Sequence, residues 1–308
     1  MTGTIATRLL TSILVVIGSS MLVFVIMFVL PGDPVLQLLD GNATTPEAIE
    51  QMRQQLGLDQ PFYVQFMQYF VQLLQGDFGA SRIDSTPVLP KILEHVPATL
   101  ALTAVSATVS VLVGTILGVL SAIHRNGIID LIARFVGLFG ISMPTFWTGI
   151  LLLLLFSIHL GLFPIAGSDG WKTLVLPGIT LGLVGAGFIV RMVRNTMLEV
   201  MSEPFIVTLR SKGLTERVVM YKHALRNALI PALTIMGVMV GELLSGTVVV
   251  ETVFARQGIG RILADAIMSK DMPVVQGVVF FTAIIYVLVN LLVDVSYSFV
   301  DPRIRRSQ

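Results

Sequence analysis

Cysteine is absent from the 308 residues. Its absence excludes disulfides, thiolate metal sites and thiol catalysis, and it removes redox usage as a guide to compartment. Charge is scarce as well: 13% of residues are Asp, Glu, Lys or Arg, against 54% hydrophobic, and the mean hydropathy is +0.86. Those proportions exclude an ordinary soluble domain and mark a polytopic membrane protein. A net charge of +1 argues against nucleic acid as a partner. Catalytic signatures are missing too. There is no G-x-x-x-x-G-K-[ST] phosphate loop, no H-E-x-x-H pair and no G-x-S-G serine site, and His95, His124, His159 and His223 are scattered. Gly258-x-Gly260 and Gly185-x-Gly187 each lack the third glycine of a dinucleotide fingerprint.

What is present is a series of apolar runs. Residues 9–30 supply the ~20 apolar residues that a bilayer core demands, with Arg8 before them. Pro31-Gly32-Asp33-Pro34 follows in place of a small-residue cleavage site, which weighs against a removable leader. A polar interval, 31–98, carries two helical candidates. One runs from Pro46 to Leu56, opened by Thr45 and closed by Gly57; the other runs from Pro61 to Gln75, closed by Gly76. The second places Phe62, Phe66, Tyr69, Phe70 and Leu73 on one side and glutamines on the other, a pattern for lying along an interface or for simple packing.

Five further spans are expected at Thr99–Ile123, Phe135–Leu160, Leu174–Arg191, Leu229–Val250 and Val274–Tyr297. The expected fold is thus an all-α integral membrane protein with six transmembrane helices. An even count puts both termini on one side. With that side taken as cytoplasmic, thirteen of the twenty Lys and Arg residues fall inside, seven of them between Arg191 and Arg226, so the termini are N-in and C-in. The chain then divides into 1–30, with the first span, an extracytoplasmic loop at 31–98, and a core at 99–308 that includes a cytoplasmic loop at 192–228.

Three glycine pairs four residues apart (Gly114 and Gly118, Gly178 and Gly182, Gly237 and Gly241) place small residues where another helix backbone can approach. Pro144 and Pro231 predict a kink or an irregular turn. Glu242 is the acidic group nearest the middle of a span. It either faces a water-filled path or sits hydrogen-bonded at a helix contact. Asp294, with Asn290 one turn earlier, is expected to pair with Arg191 or Arg194.

The segment from Ser202 to Pro231 is basic, helix-patterned and too polar to cross a bilayer. Gly213 ends a first helix and Thr215 can cap a second. Phe205, Ile206 and Leu209 recur at helical spacing between charged neighbours, the pattern of a helix that lays one face into another protein.

From Gly213 to Pro231 the run GLTERVVMYKHALRNALIP resembles the cytoplasmic loop of membrane subunits of ABC importers, in the branch handling dipeptides, oligopeptides, glutathione, nickel and opine-type compounds. The similarity continues in PGDP at 31–34, LGLDQP at 56–61, GDFG at 76–79, LPGITLG at 176–182, VVVETVF at 248–254, PVVQG at 273–277 and NLLVDVSYSFVDPRIR at 290–305. It implies a type I importer permease fold in a bacterial cytoplasmic (inner) membrane. The implied partners are a homologous second permease, two cytoplasmic ATPase subunits, an extracytoplasmic substrate-binding protein and membrane lipid. ATP and Mg would be bound by the ATPases, with no cofactor in this chain.

The same resemblance implies an ATPase-coupling role for Phe205, Ile206, Thr208, Leu209, Arg210, Lys212, Gly213 and Leu214. Glu242, Ser245 and Asn290 are candidates for the translocation path, and Glu251, Phe254, Gly258 and Gly260 for an extracytoplasmic gate or turn. Two positions depart from the branch. Leu209 stands where a small residue is usual, and Gln257 precedes Gly258 where proline is common, which implies a looser turn.

Shifting a two-state transporter from mostly closed to mostly open takes about 5.5 kcal/mol of differential interaction. Exposed ion pairs supply about 0–1 kcal/mol each. Arg210, Lys212 and Arg217 therefore cannot carry the stroke, and apolar contacts by Phe205, Ile206, Leu209 and Leu214 are expected to. Gly213→Pro or Phe205→Asp should then abolish uptake while leaving membrane insertion intact. A stand-alone channel or membrane enzyme, the competing class, would be active without an ATPase. Peptide, glutathione, nickel or metallophore and opine cargo all remain compatible with the residues.

Overall fold

The structure, a computed structural model, describes residues 2–29, 46–55 and 57–300. Pro31-Gly32-Asp33-Pro34, Thr45, Leu56 and the tail from Asp301 lie outside those residues, as do the details at Gly237 and the side chain of Asp294. The described residues are helical, apart from turns and an isolated bridge between Ala80 and Pro87. In order they form α1 (Thr2–Val29), α2 (Pro46–Gln55), α3 (Phe62–Leu74), α4 (Val88–Ile123), α5 (Ile128–Ser142) and α6 (Thr145–Leu152), which widens into a π-helical stretch at Leu153–His159. Then come α7 (Lys172–Met201), α8 (Pro204–Ser211), a short α9 (Glu216–Val218) continued by a π-helical stretch at Val219–Ala224, α10 (Leu225–Val253), α11 (Ile259–Met268) and α12 (Met272–Val300).

Glycine punctuates the short helices as the sequence predicts. Gly57 and Gly76 both take left-handed backbone angles, with φ of +65° and +82°. The N–H groups of Leu58 and Asp77 return to the carbonyls of Arg53 and Gln72 at 2.9 Å, satisfying carbonyls that the helix ends leave open.

Three helices are long and apolar enough to cross a membrane among the described residues: Val88–Ile123, Lys172–Met201 and Met272–Leu292. A fourth candidate is a bent pair over the span expected at Phe135–Leu160, with its break at the expected Pro144. The chain is helical from Ile128, breaks at Met143 and Pro144, and resumes with its axis turned by 115°. The cause is local. The proline ring excludes the residue before it from helical angles, and Met143 sits at φ −86°, ψ 134°. Pro231 causes no such break, and α10 runs through it. At 36 residues, α4 is about 54 Å long at ~1.5 Å per residue. It begins at Val88, well before the expected Thr99, because Lys91, Glu94 and His95 belong to the same helix.

The chain forms two compact units, one of residues 1–94 with 262–287 and one of 95–261 with 288–308. In the first, α1 and α3 meet through aromatic rings: Phe24 lies 5.4 Å from Phe62 and 5.5 Å from Phe66 between centroids. The loop before α4 is pinned to the start of α12, with Ser81 Oγ donating to Asp271 Oδ2 at 2.5 Å and the Arg82 N–H to Oδ1 at 3.1 Å.

In the second unit α7 is the central helix. Leu176 and Leu181 pack with Leu102, Leu243, Val250 and Phe254, and further along Ile189 and Val193 pack with Val119 and Met239. Two of the predicted glycine pairs face this contact. A methyl at Gly114 would lie 2.6 Å from Ile189 Cβ, and one at Gly182 would lie 2.7 Å from a Val109 methyl, so α4 and α7 approach at a distance only glycine permits.

Candidate functional site

The segment after α7 is a reversal built on glycine. Pro204 sits in the first turn of α8, where its missing N–H costs nothing. The helix stops at Ser211, and Gly213 follows at φ +81°. The Gly213 N–H donates to Arg210 O at 2.9 Å and the Leu214 N–H to Leu209 O at 3.3 Å, a pairing that closes a helix end and sets Leu209 against Leu214. Thr215 stands at the cap position before α9, at φ −68° and ψ 148°, but its hydroxyl makes no capping bond. Arg210 is engaged within the chain, as its guanidinium grips Glu216 at 2.6 and 3.2 Å across the reversal.

The apolar residues of α8 divide between two faces. Ile206 is fully buried and packs with Ala122, Met197, Val219, Ala224 and Ala228, with Leu209 and Leu214 partly buried against the same cluster. Phe205, Val207, Thr208, Lys212 and Gly213 are exposed. The expectation of one outward face through Phe205, Ile206 and Leu209 is corrected accordingly. Adjacent helical residues point ~100° apart, and the chain's own core takes Ile206. Phe205 and Val207 are the apolar groups α8 leaves available to another molecule.

At the far end of α10 the residues named as a gate come together. Glu251 is fully buried. Its Oε1 accepts from Thr99 Oγ1 at 2.6 Å, its Oε2 accepts from the Arg261 N–H at 3.2 Å, and Thr99 Oγ1 in turn accepts from the Ile259 N–H at 2.9 Å. Gly258 and Gly260 make room for the carboxylate: a methyl at 258 would lie 2.2 Å from its Cδ and Oε1, and one at 260 would lie 2.9 Å from Oε2. Phe254 points into the core beside Leu176 and Leu243.

The turn that cages Glu251 is tied down, contrary to the looseness expected from Gln257. A proline there would have no N–H, whereas the Gln257 N–H donates to Ser168 Oγ at 2.7 Å. Arg256 is buried beside it and reaches Thr173 Oγ1 at 3.3 Å through Nη1. Burial pulls its guanidinium pKa below the ordinary value, and the Glu251 carboxylate opposes that shift.

The path candidates are less assembled. Glu242 and Ser245 are exposed on α10, and Thr252 follows on the same side at helical spacing. Asn290 is half-buried on α12 and shares no hydrogen bond with them among the described residues.

One polar centre was missed in the sequence. Asp130, fully buried at the start of α5, accepts from Arg194 Nε at 2.8 Å and Nη2 at 3.0 Å, from Ser121 Oγ at 2.5 Å and from the Asn126 N–H at 2.9 Å. The pairing expected between Asp294 and Arg194 falls on a side chain outside the described residues, among which Arg194 pairs with Asp130. Asn126 holds φ +64°, so the Asn-Gly pair just before Asp130 was the available signal of a tight turn, although nothing in it named Arg194. Arg191, the other expected partner, lies over the Phe188 ring at 5.9 Å.

Against known proteins, residues 114–306 match the family described as binding-protein-dependent transport system inner membrane component, and residues 1–103 match its N-terminal companion. A Brucella abortus protein provisionally named a peptide transport system permease is 41% identical over 313 residues, covering 99% of both chains. The glutathione transport system permease protein of Salmonella choleraesuis is 42% identical over 298 residues, covering 97% of each. Among solved structures, an inward-facing form of the MetNI methionine ABC transporter aligns with a TM-score of 0.59 and 22% identity, over 70% of this chain and 98% of that one.

Proposed function

The chain belongs to the family of binding-protein-dependent transport system inner membrane components, as a permease subunit of an ABC importer, and from that premise we propose that it forms half of a peptide-class translocation path driven through α8. Both full-length relatives handle peptides by their names, one peptides at large and one the tripeptide glutathione, and that supports the cargo class. Nickel, metallophore and opine cargo fit the same architecture with less support.

In this reading six helices cross the cytoplasmic membrane with both termini inside, and residues 31–98 lie outside the cell. The carrying observation is the division of α8. Ile206 roots it in the chain's own core while Phe205, Val207 and Lys212 stand outward. A helix held by one face and bare on the other can pass a partner's movement inward. Its root touches the ends of three long helices, at Ala122 of α4, Met197 of α7 and Ala228 of α10. The Asp130–Arg194 pair adds α5 to that group. A pull on α8 would therefore move these ends together. At the opposite end of the unit, Glu251 ties α4, α10 and the start of α11 into one outer block. Glu242, Ser245 and Thr252 would line the path from the exposed side of α10, where a second permease completes it.

ATP would be hydrolysed by the partner subunits and cargo would be delivered by a binding protein. Reconstituting the permease pair with its ATPases and binding protein, and ranking di- and tripeptides, glutathione and nickel by stimulated ATP hydrolysis and uptake, tests the cargo class. Peptides are expected to stimulate most. Stimulation by nickel alone would refute that part, and transport without ATPases would refute the whole.

A further inference from the structure

Helix α3 is apolar on two sides. Its inner side carries Phe62, Phe66, Tyr69 and Phe70, which meet Phe24 and Phe28 of α1 and Phe280 of α12 at centroid distances of 5.2 to 6.2 Å. Its outer side carries Tyr63, Met67, Val71 and Leu74 at steps of four, four and three residues, one continuous helix face. That face is open: Tyr63 is 71% exposed, Met67 61% and Leu74 65%. No charged residue occurs between Pro61 and Gly76. The amide of Gln65 is turned away, donating to the carbonyls of Leu58 and Gln60. By contrast α2, in the same interval, carries Glu47, Glu50 and Arg53.

The inner contacts fix the depth of α3. Phe24 lies five residues before the end of α1, and Phe280 eight residues after the start of α12, which at ~1.5 Å per residue is about 8 and 12 Å along each helix. Under the topology proposed above, both of those ends are the outer ones. The two estimates therefore agree on a level inside the outer leaflet. Helix α1, against which α3 packs, also exposes Leu22, Val25, Ile26 and Val29.

A thirteen-residue helix spans about 20 Å, too short to cross the ~30 Å apolar layer, but its backbone is satisfied internally and it can lie within the layer's edge. In water such a stripe would be an anomaly among otherwise polar surfaces. We propose that α3 is seated in the outer leaflet, with Tyr63, Met67, Val71 and Leu74 covered by phospholipid acyl chains, and that it anchors the extracytoplasmic interval to the membrane. The proposal rests on α1 and α12 crossing the bilayer.

The absence of cysteine makes the test direct. Nitroxide labels are placed singly at Tyr63→Cys, Met67→Cys and Leu74→Cys in the assembled transporter, in vesicles of phosphatidylethanolamine and phosphatidylglycerol. Leu14→Cys and Ile116→Cys, exposed within apolar helices, serve as bilayer controls and Glu47→Cys as the aqueous control. Collisions with oxygen and with a water-soluble nickel chelate are then compared. The expected result is that all three α3 positions favour oxygen over the chelate, as the bilayer controls do, with the order inverted at residue 47. Chelate access at α3 with lipid-like controls overturns the proposal. Shielding from both reagents also overturns it, because a second permease or the binding protein would then be the cover. Chelate access at both bilayer controls overturns the membrane-crossing assignment underneath, and the proposal with it.

Discussion

Replacing Gly258 by alanine should cost far more than the loss of a surface glycine, and the cost should vanish when Glu251 is shortened. The added methyl would sit 2.2 to 2.3 Å from the carboxylate atoms of Glu251, more than 1 Å inside van der Waals contact. Relief requires moving a carboxylate held by Thr99 at 2.6 Å and by the Arg261 N–H at 3.2 Å, and a shift of that size breaks both bonds. Overpacking contributes about 1–3 kcal/mol, and each buried donor left without an acceptor about 1–3 kcal/mol. The sum for Gly258→Ala is about 3–9 kcal/mol. Glu251→Ala forfeits the same two acceptors, about 2–6 kcal/mol, but empties the space the methyl would need. The double variant should therefore be no less stable than Glu251→Ala alone, a coupling equal to the whole cost of Gly258→Ala and so at least about 3 kcal/mol. Thermal midpoints of the detergent-purified chain at fixed scan rate read this out, and at about 2–4 °C per kcal/mol Gly258→Ala should fall by at least about 6 °C. A neutral Gly258→Ala, or costs that simply add in the double variant, would refute the cage.

Other perturbations follow from the same geometry. Asp130→Ala strands the Arg194 guanidinium beside a buried cavity and should cost about 3 kcal/mol in thermal stability, with Arg194→Gln in the same chain recovering part of it. Gly213 has φ +81° and no atom near the position a methyl would take, so the cost of substitution is backbone strain alone, about 1–2 kcal/mol. Gly213→Val should depress ATP-driven uptake per inserted molecule more than Gly213→Asn, because asparagine tolerates that region. Hydrogen bonds from Lys91 and Thr86 hold the Asp84 carboxyl below the ordinary carboxylate range. A folded-state value below the unfolded one adds stability that is present above that range and lost as pH falls through it. Asp84→Asn should therefore flatten the acid side of the midpoint-versus-pH curve, modestly because the group is half-exposed.

Local features were legible in the sequence and long-range pairings were not. Gly57, Gly76 and Gly213 announced their helix ends because a left-handed residue is required where they stand. Gly114 and Gly182 announced a close crossing, although not that they share it. Periodicity along α8 showed an apolar stripe, but it could not say which residue the chain's own core would claim, and Ile206 went inward. Arg194 was visibly in need of an acid. Naming Asp130 as a partner required knowing how α5 meets α7. The 115° break at Pro144 was foreseen as a kink because a proline sets the backbone angles of one residue, while packing sets where the next helix goes. Gln257 was read as the absence of proline, whereas its N–H turned out to be a bond donor.

The coupling role of α8 is tested most directly with Lys212→Cys, the sole thiol of a chain that otherwise has none, on an exposed position beside Gly213. A membrane-impermeant maleimide should fail to label it in intact cells, should label it in inside-out vesicles made without the ATPase subunits, and should be blocked once those subunits are bound. Labelling from outside intact cells, or labelling in inside-out vesicles that is indifferent to the bound ATPases, would contradict the account.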